Sequence, residues 1–242
     1  MHGIKYRKIH MKSPFEQVAK KREIAKTYYD HLSRWYDLLA GKAENKCKDM
    51  GLKLLNVHPG ETVLEIGFGT GQCLLALAQS TGDTGKVNGI DLSEGMLQVA
   101  QRRLRNARLA ERVELRQGDA ALLPFEDGVF DALYMSFTLE LFDPLEIPLL
   151  LIECLRVLRS NGRMCVVAMS RRDKPGFMGI LYDWAHRKWP IYIDCRRILV
   201  HNEIEKADFQ IESTVETSVF GLPVDIVLAL KRPGENNRSL NH

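Results

Sequence analysis

The residues best placed to do chemistry begin at an apolar run, Thr62-Val63-Leu64-Glu65-Ile66, followed by Gly67, Gly69 and Gly71 at every second position. Such a run reads as a buried parallel strand, and residues 72–79 after the glycines read as a helix. Strand, glycine turn and helix N-terminus together present backbone N–H groups to a ligand, and glycine lets the backbone turn tightly without a side chain in the ligand's way. Three carboxylates have positions that fit the same ligand. Glu65 lies inside the strand. Asp91 ends the run Lys86-Val87-Asn88-Gly89-Ile90-Asp91, where a carboxylate can accept both hydroxyls of an adenosine ribose. Asp119 follows the alternating Val113-Glu114-Leu115-Arg116-Gln117, where it can accept an exocyclic adenine N–H or bond its own turn.

The glycine spacing separates two ligand classes. A dinucleotide fingerprint is G-x-G-x-x-G, and its third glycine would fall at position 72, which is Gln72. The pattern here is G-x-G-x-G, so an NAD(P)-linked oxidoreductase is the second reading. A catalytically silent fold that binds cofactor or a protein partner is the third.

These residues need a frame, and the chain supplies a regular β-α alternation. Ser93 is a natural N-cap for a helix over 94–106 whose inward stripe is Met96, Leu97, Val99, Ala100 and Leu104. A fourth strand over 130–136 ends at Ser136, and its exit through Phe137-Thr138-Leu139-Glu140-Leu141-Phe142 should line the reaction cleft. A helix over 149–159, closed by Asn161-Gly162, leads to a fifth strand over 162–170. This alternation predicts an α/β doubly wound, seven-stranded, mostly parallel sheet covered on both faces. An antiparallel hairpin closes it, with strands over 211–220 and 224–231 joined by Gly221-Leu222-Pro223. A short helix over 203–207 precedes the hairpin.

Three domain segments follow from composition. Residues 1–42 form an N-terminal helical arm or lid. It opens with eight Lys/Arg against two Glu in residues 1–27, a solvated basic arm or a helix touching anionic lipid at a membrane surface. It continues through Tyr28-Tyr29-Asp30-His31 and Trp35-Tyr36-Asp37, whose two Tyr-Asp pairs share a helical face. Gly41 should end that helix, with another over 43–55. Residues 43–231 carry the main domain, with an aromatic substrate-pocket insert at about 171–200. Residues 232–242, rich in Asn, Gly and Pro, read as a disordered tail.

Composition closes off other classes. A net charge of +3 is too small to argue for nucleic acid as partner. The five cysteines are odd in number and widely spaced, with no C-x-x-C, which suits reduced thiols in a cytoplasmic protein rather than disulfides or zinc, and no metal is expected. The start lacks a signal peptide's apolar core and no apolar run is long enough to span a bilayer. The oligomeric state is not legible.

With these motifs placed, residues 28–231 resemble the S-adenosylmethionine-dependent methyltransferases of the Rossmann-like class, in the ubiquinone/menaquinone-biosynthesis branch. The resemblance rests on Val63-Leu64-Glu65-Ile66-Gly67-Phe68-Gly69-Thr70-Gly71, Gly89-Ile90-Asp91-Leu92-Ser93, Gly118-Asp119-Ala120, Leu123-Pro124-Phe125 and Met135-Ser136-Phe137. It implies S-adenosylmethionine as cofactor and a small aromatic, quinol-like or lipid-like substrate. It puts Thr70, Asp91, Asp119, Ala120 and Ser136 on cofactor-binding positions. Glu65, Gly67, Gly69, Gly71, Leu92 and Met96 join them around the loop, and Tyr36 joins them from the lid. One segment departs from the branch. Quinone-methylating members follow Ser-Phe with Gly, an apolar residue and Arg-Asn, whereas Glu140 stands here in place of a positive charge and would oppose a developing phenolate. Because the sulfonium is already activated, alignment and exclusion of water can supply much of the rate, with a base useful for a phenol, amine or ring carbon. Glu140, His31 and His186 are the candidate bases.

Overall fold

Parallel strands that are apolar on both faces need helices on both faces, and the computed structural model shows that arrangement for residues 36–171 and 197–232, the part of the chain it describes. The helices are α1 (Tyr36–Leu55), α2 (Gln72–Thr81), α3 (Glu94–Asn106), α4 (Ile147–Val157) and α5 (Val200–Lys206). The strands are β1 (Thr62–Ile66), β2 (Lys86–Asp91), β3 (Val113–Gln117), β4 (Phe130–Ser136), β5 (Leu158–Met169), β6 (Phe209–Val219) and β7 (Leu222–Lys231). They form one sheet in the order β3-β2-β1-β4-β5-β7-β6. β1 pairs in parallel with both β2 and β4, while β7 runs antiparallel between β5 and β6. The winding reverses direction between β1 and β4, and the crevice beyond their carboxyl ends is where such sheets take ligands.

The two-residue period of a strand sorts the core into two halves. Leu64, Ile66, Leu133, Met135 and Val166 pack on one face with Leu150, Cys154 and Val157 of α4 and with Val200 and Ile204 of α5. Val63, Tyr134, Cys165 and Val167 pack on the other with Cys47 and Leu55 of α1, Leu74 and Leu77 of α2, and Ala100 and Leu104 of α3.

Four boundaries differ from the sequence reading. The stop expected at Gly41 does not occur, and α1 runs unbroken from Tyr36 to Leu55. A helical glycine costs only about 1 kcal/mol, and the docking of this helix on the sheet offsets that cost. The approach is close: a Cβ on Gly51 would lie 2.5 Å from Val167 Cγ2, and the Tyr134 hydroxyl donates to the Lys48 carbonyl at 2.8 Å. Helix α4 occupies 147–157 rather than 149–159, and β5 starts at Leu158. The pairing of β5 with β4 jumps from Phe130↔Leu158 to Ala132↔Arg163, with Asn161 at φ 64° inside the jump. The hairpin turns at Phe220 and Gly221, both with positive φ. Leu222 and Pro223 belong to β7 rather than to the turn, because proline is tolerated at a strand's first positions and its carbonyl still accepts the Ser170 N–H at 2.9 Å. Finally, α5 begins at Val200, just after Ile198 bridges in parallel to Ser170. Among the described residues no helix is long and apolar enough to cross a membrane.

Candidate active site

The crevice at the β1–β4 switch is built first by backbone. Gly67, Gly69 and Gly71 all have positive φ, at 70°, 51° and 79°. The Gly67 N–H donates to the Ile90 carbonyl at 2.8 Å, which keys the loop to the end of β2. A Cβ on Gly67 would stand 2.4 Å from the Thr138 side chain, so the loop packs against the exit of β4. A Cβ on Gly69 would meet nothing within 4 Å. The loop is therefore filled on its sheet side and open at its middle.

Asp91 fixes that opening. Its Oδ2 accepts the Gly69 N–H at 2.8 Å and its Oδ1 accepts the Ser93 N–H at 2.9 Å. A carboxylate has about four acceptor sites, and these two backbone bonds take one on each oxygen. Ser93 caps α3 as expected, with its Oγ accepting the Met96 N–H at 3.1 Å. Met96 is buried, and half-buried Leu92 gives its carbonyl to Gln117 at 3.1 Å. Thr70 is buried, and its Oγ1 accepts from Arg103 Nη1 at 3.0 Å. Asp119 bonds its own turn, with Oδ1 accepting the Ala121 N–H at 2.9 Å, so the turn reading of this residue is realised and the turn itself fixes buried Ala120 at the rim. Ser136 closes β4 at the same edge, buried.

Two carboxylates are unlike the rest. Glu65 is 1 % exposed, and its Oε2 has no hydrogen-bond partner. Burial holds its carboxyl well above the usual range; the nearby Lys48 ammonium opposes this and the Asp91 carboxylate adds to it. Glu140 lies in a 3₁₀ turn, Leu139–Leu141. It is 1 % exposed, its Oε1 accepts the Met169 N–H at 3.0 Å, and its Oε2 has no hydrogen-bond partner. Burial pushes its carboxyl up to about 7, with the Met169 N–H pulling the other way. Glu140 thus spans the carboxyl ends of β4 and β5.

The structure brings together Glu65, Gly67, Gly69, Thr70, Gly71, Asp91, Leu92, Met96, Asp119, Ala120, Ser136 and Glu140 along one edge of the sheet. His31, His186, the Tyr-Asp pair at 29–30, the basic arm, the aromatic insert over 172–196 and the tail from 233 lie outside the described residues. Tyr36 opens α1, but its side chain also lies outside them.

Sequence reasoning missed one residue here. Lys48 sits on α1 with its Nζ 3.5 Å from Glu44 Oε2 and 5.8 Å from the centre of the Phe137 ring. An acidic–basic pair four residues apart on a helix is the ordinary pattern of a solvated face, so no local signal marks it as part of a cleft. Its burial, at 12 % and 16 % side-chain exposure, does. Phe137, expected at the cleft, holds φ 53°, an unfavourable angle for a residue with a side chain, directly at the exit of β4.

Backbone donors, ribose-suited carboxylates and unpaired buried carboxylate oxygens fit a nucleoside that carries a positively charged tail. Comparisons with known proteins agree. Residues 63–162 match the model of a methyltransferase domain. Over 168 residues the chain is 30% identical to the demethylmenaquinone methyltransferase of Desulfitobacterium hafniense, a match over 69% of this chain and 62% of that protein. It is 30% identical over 165 residues to the demethylmenaquinone methyltransferase of Bacillus pumilus, over 68% of this chain and 69% of that protein. The chain therefore spans somewhat under or about two thirds of the curated relatives it matches. Among solved structures, a SAM-dependent methyltransferase from Aquifex aeolicus superposes with a TM-score of 0.60 at 24% identity, over 82% of this chain and 97% of that one, and shares its fold.

Proposed function

Because the chain belongs to the Rossmann-like S-adenosylmethionine-dependent methyltransferases, in the branch of the menaquinone and ubiquinone enzymes, we propose that it moves a methyl group from S-adenosylmethionine to a small aromatic, quinol-like or lipid-like molecule. The observation that carries this reading is the tie between Asp91 and Gly69 beside an open glycine cradle. The branch's G-x-G-x-G loop gives the oxidoreductase reading nothing to rest on. No nucleic-acid partner is proposed, and the basic arm over 1–27 remains a proposed peripheral membrane contact of a cytoplasmic protein.

When bound, S-adenosylmethionine supplies an already activated methyl group. The chain's residues do the rest. Asp91 takes the ribose hydroxyls while holding the loop, Asp119 takes the adenine N–H, and Thr70, Ala120, Ser136, Leu92 and Met96 shape the surrounding wall. Glu65 faces the charged tail from within β1, and Tyr36 is the further proposed partner of that tail. The acceptor lies beyond β4, where Glu140 Oε2 is the proposed site that receives its proton. Its carboxyl, poised near neutrality, suits that role. His31 and His186 are the alternative bases.

The test is transfer of a labelled methyl group from the cofactor into a metabolite extract, with the product identified, alongside calorimetry of cofactor binding. Micromolar binding, roughly −8 kcal/mol, and a labelled small molecule are expected. A folded sample that binds no cofactor would refute the reading.

A further inference from the structure

Strand β3 is an edge of the sheet: it pairs with β2 on one side and with no described strand on the other. The Gly118 N–H donates to the Asp91 carbonyl at 2.9 Å. By the alternation of a strand, the backbone of Glu114 and Arg116 then faces β2, and the N–H and C=O groups of Val113, Leu115 and Gln117 face the open side. Beside this edge, between β3 and α3, lies an open groove of about 250 Å³ lined by Gln101, Leu104, Arg105, Ala110, Val113 and Leu115. It sits toward the C-terminal end of α3, the end opposite the Ser93 cap and the glycine loop.

The rim of the groove is basic. Arg103 reaches Thr70, Arg112 reaches Asp83, and Arg116 holds Glu114. Arg102, Arg105 and Arg108 are exposed and have no ion pair or side-chain hydrogen bond among the described residues. Of the two carboxylates in residues 101–117, Glu114 is taken by Arg116, which leaves Glu111 against three guanidiniums. A helix C-terminus accounts for a cation in its last turn. Three of them around an unpaired strand edge form a surface whose charge a partner can answer.

We propose that this edge is a docking site for an extended, acidic segment of a partner protein, which adds as a further strand beside β3. Its backbone pairs with Val113, Leu115 and Gln117, and its alternate side chains face the groove. One apolar side chain there covers Leu104, Val113 and Leu115, and carboxylates on the same face meet Arg102, Arg105 and Arg108. A second copy of this chain fits less well, because pairing edge to edge would bring its own three arginines to the same face. A nucleic acid answers the charge but offers no strand to the open N–H and C=O groups.

Fluorescence anisotropy on the full chain tests this with a capped, labelled peptide of roughly ten residues in which Asp and Glu surround a central Val-Thr-Leu. One control carries Lys at every acidic position, and another is methylated on the backbone nitrogens that would pair. The acidic peptide should bind with a Kd on the order of 10–100 μM, more weakly as salt rises, and each control about tenfold more weakly or worse. Arg105→Glu combined with Arg108→Glu should keep the melting temperature and lose about tenfold in peptide affinity; if that variant fails to fold, Arg102→Glu replaces it. Amide exchange at Val113, Leu115 and Gln117 should slow on binding. Equal binding of the methylated peptide, unchanged affinity in the arginine variants, or unprotected amides at these three residues overturns the inference. So does no binding at about 1 mM peptide, a dimer in sedimentation that the peptide does not dissociate, or tighter binding of a single-stranded RNA homopolymer.

Discussion

The Asp91 carboxylate accepts the Gly69 N–H at 2.8 Å and so ties the end of β2 to the middle of the glycine loop. One residue thereby joins two tasks: it shapes the cradle and is the proposed partner of the cofactor's ribose hydroxyls.

Asp91→Ala should therefore damage both. Losing two charge-assisted bonds to backbone N–H groups costs about 1–3 kcal/mol of stability in the protein without cofactor, and the lost ribose contacts weaken cofactor binding by at least tenfold more than the stability loss explains. Thermal melts with and without S-adenosylmethionine separate the two effects. A variant with normal affinity would remove Asp91 from the site.

Gly67 and Gly69 should respond in opposite ways to a methyl group. Gly67→Ala drives a Cβ to 2.4 Å from Thr138, and at φ 70° the backbone is strained as well, so a loss of roughly 2–4 kcal/mol of stability is expected. Gly69→Ala meets no neighbour within 4 Å and pays only for φ 51°, about 1 kcal/mol. Its larger effect falls on the cofactor, whose space the methyl enters, and the bulkier Gly69→Val should abolish binding. Denaturant melts beside binding isotherms check both, and equal stability losses at the two positions would contradict the packing.

Glu140 gives a pH signature. Its folded carboxyl titrates at about 7, above the 4.5 of an exposed glutamate. Below pH 4.5 the group is protonated folded or unfolded and costs nothing. Between pH 4.5 and about 7 the unfolded state ionises while the folded carboxyl stays protonated, so stability is lost on the way up, by ~3 kcal/mol once pH has passed the folded value. Glu140→Gln lacks this term. Its stability relative to wild type should rise between pH 5 and pH 8, and a flat difference would mean that Glu140 titrates normally. If Glu140 also serves as base, the same variant should lose ~10²–10⁴-fold in turnover and change cofactor affinity by tenfold or less.

Arg163 anchors α1 at the edge of the sheet remote from the cleft. Its Nε donates to the Leu55 carbonyl at 2.6 Å, its Nη2 to the Asn56 carbonyl at 2.8 Å, and its two Nη atoms grip Glu61 at 2.9 and 2.7 Å. Arg163→Met strands Glu61 and two carbonyls and should cost about 2–3 kcal/mol, discounted for the 18 % exposure of both side chains. The deficit should shrink at low pH: burial raises the Glu61 carboxyl, but the Arg163 bonds and the His58 N–H outweigh it and hold the carboxyl below its usual range, and its protonation dissolves the pair in wild type as well. Denaturation at pH 7 and pH 4 measures both.

Much of this protein was legible in its residues. The strand–glycine–helix unit at 62–81, the Ser93 cap and the carboxylates at the ends of β2 and β3 are local features, each set by backbone requirements of residues a few positions apart. The parallel sheet followed from apolar runs that only double-sided burial explains. Gly41 was misjudged because local propensity says glycine stops a helix, whereas the packing of Cys47, Gly51 and Leu55 on the sheet carries α1 past it. The Leu222-Pro223 pair was misjudged for a similar reason, since β7 is paired on both sides and takes them in. What the tertiary structure alone decided is the electrostatic character of the site. Glu140 looks like any turn glutamate, and Glu44 with Lys48 like any surface pair, until β4, β5 and α1 converge and exclude water from them. Burial is set by elements distant along the chain, so a carboxylate's desolvation, and with it the charge the cleft presents to a ligand, is a property of the fold that no single stretch of residues encodes.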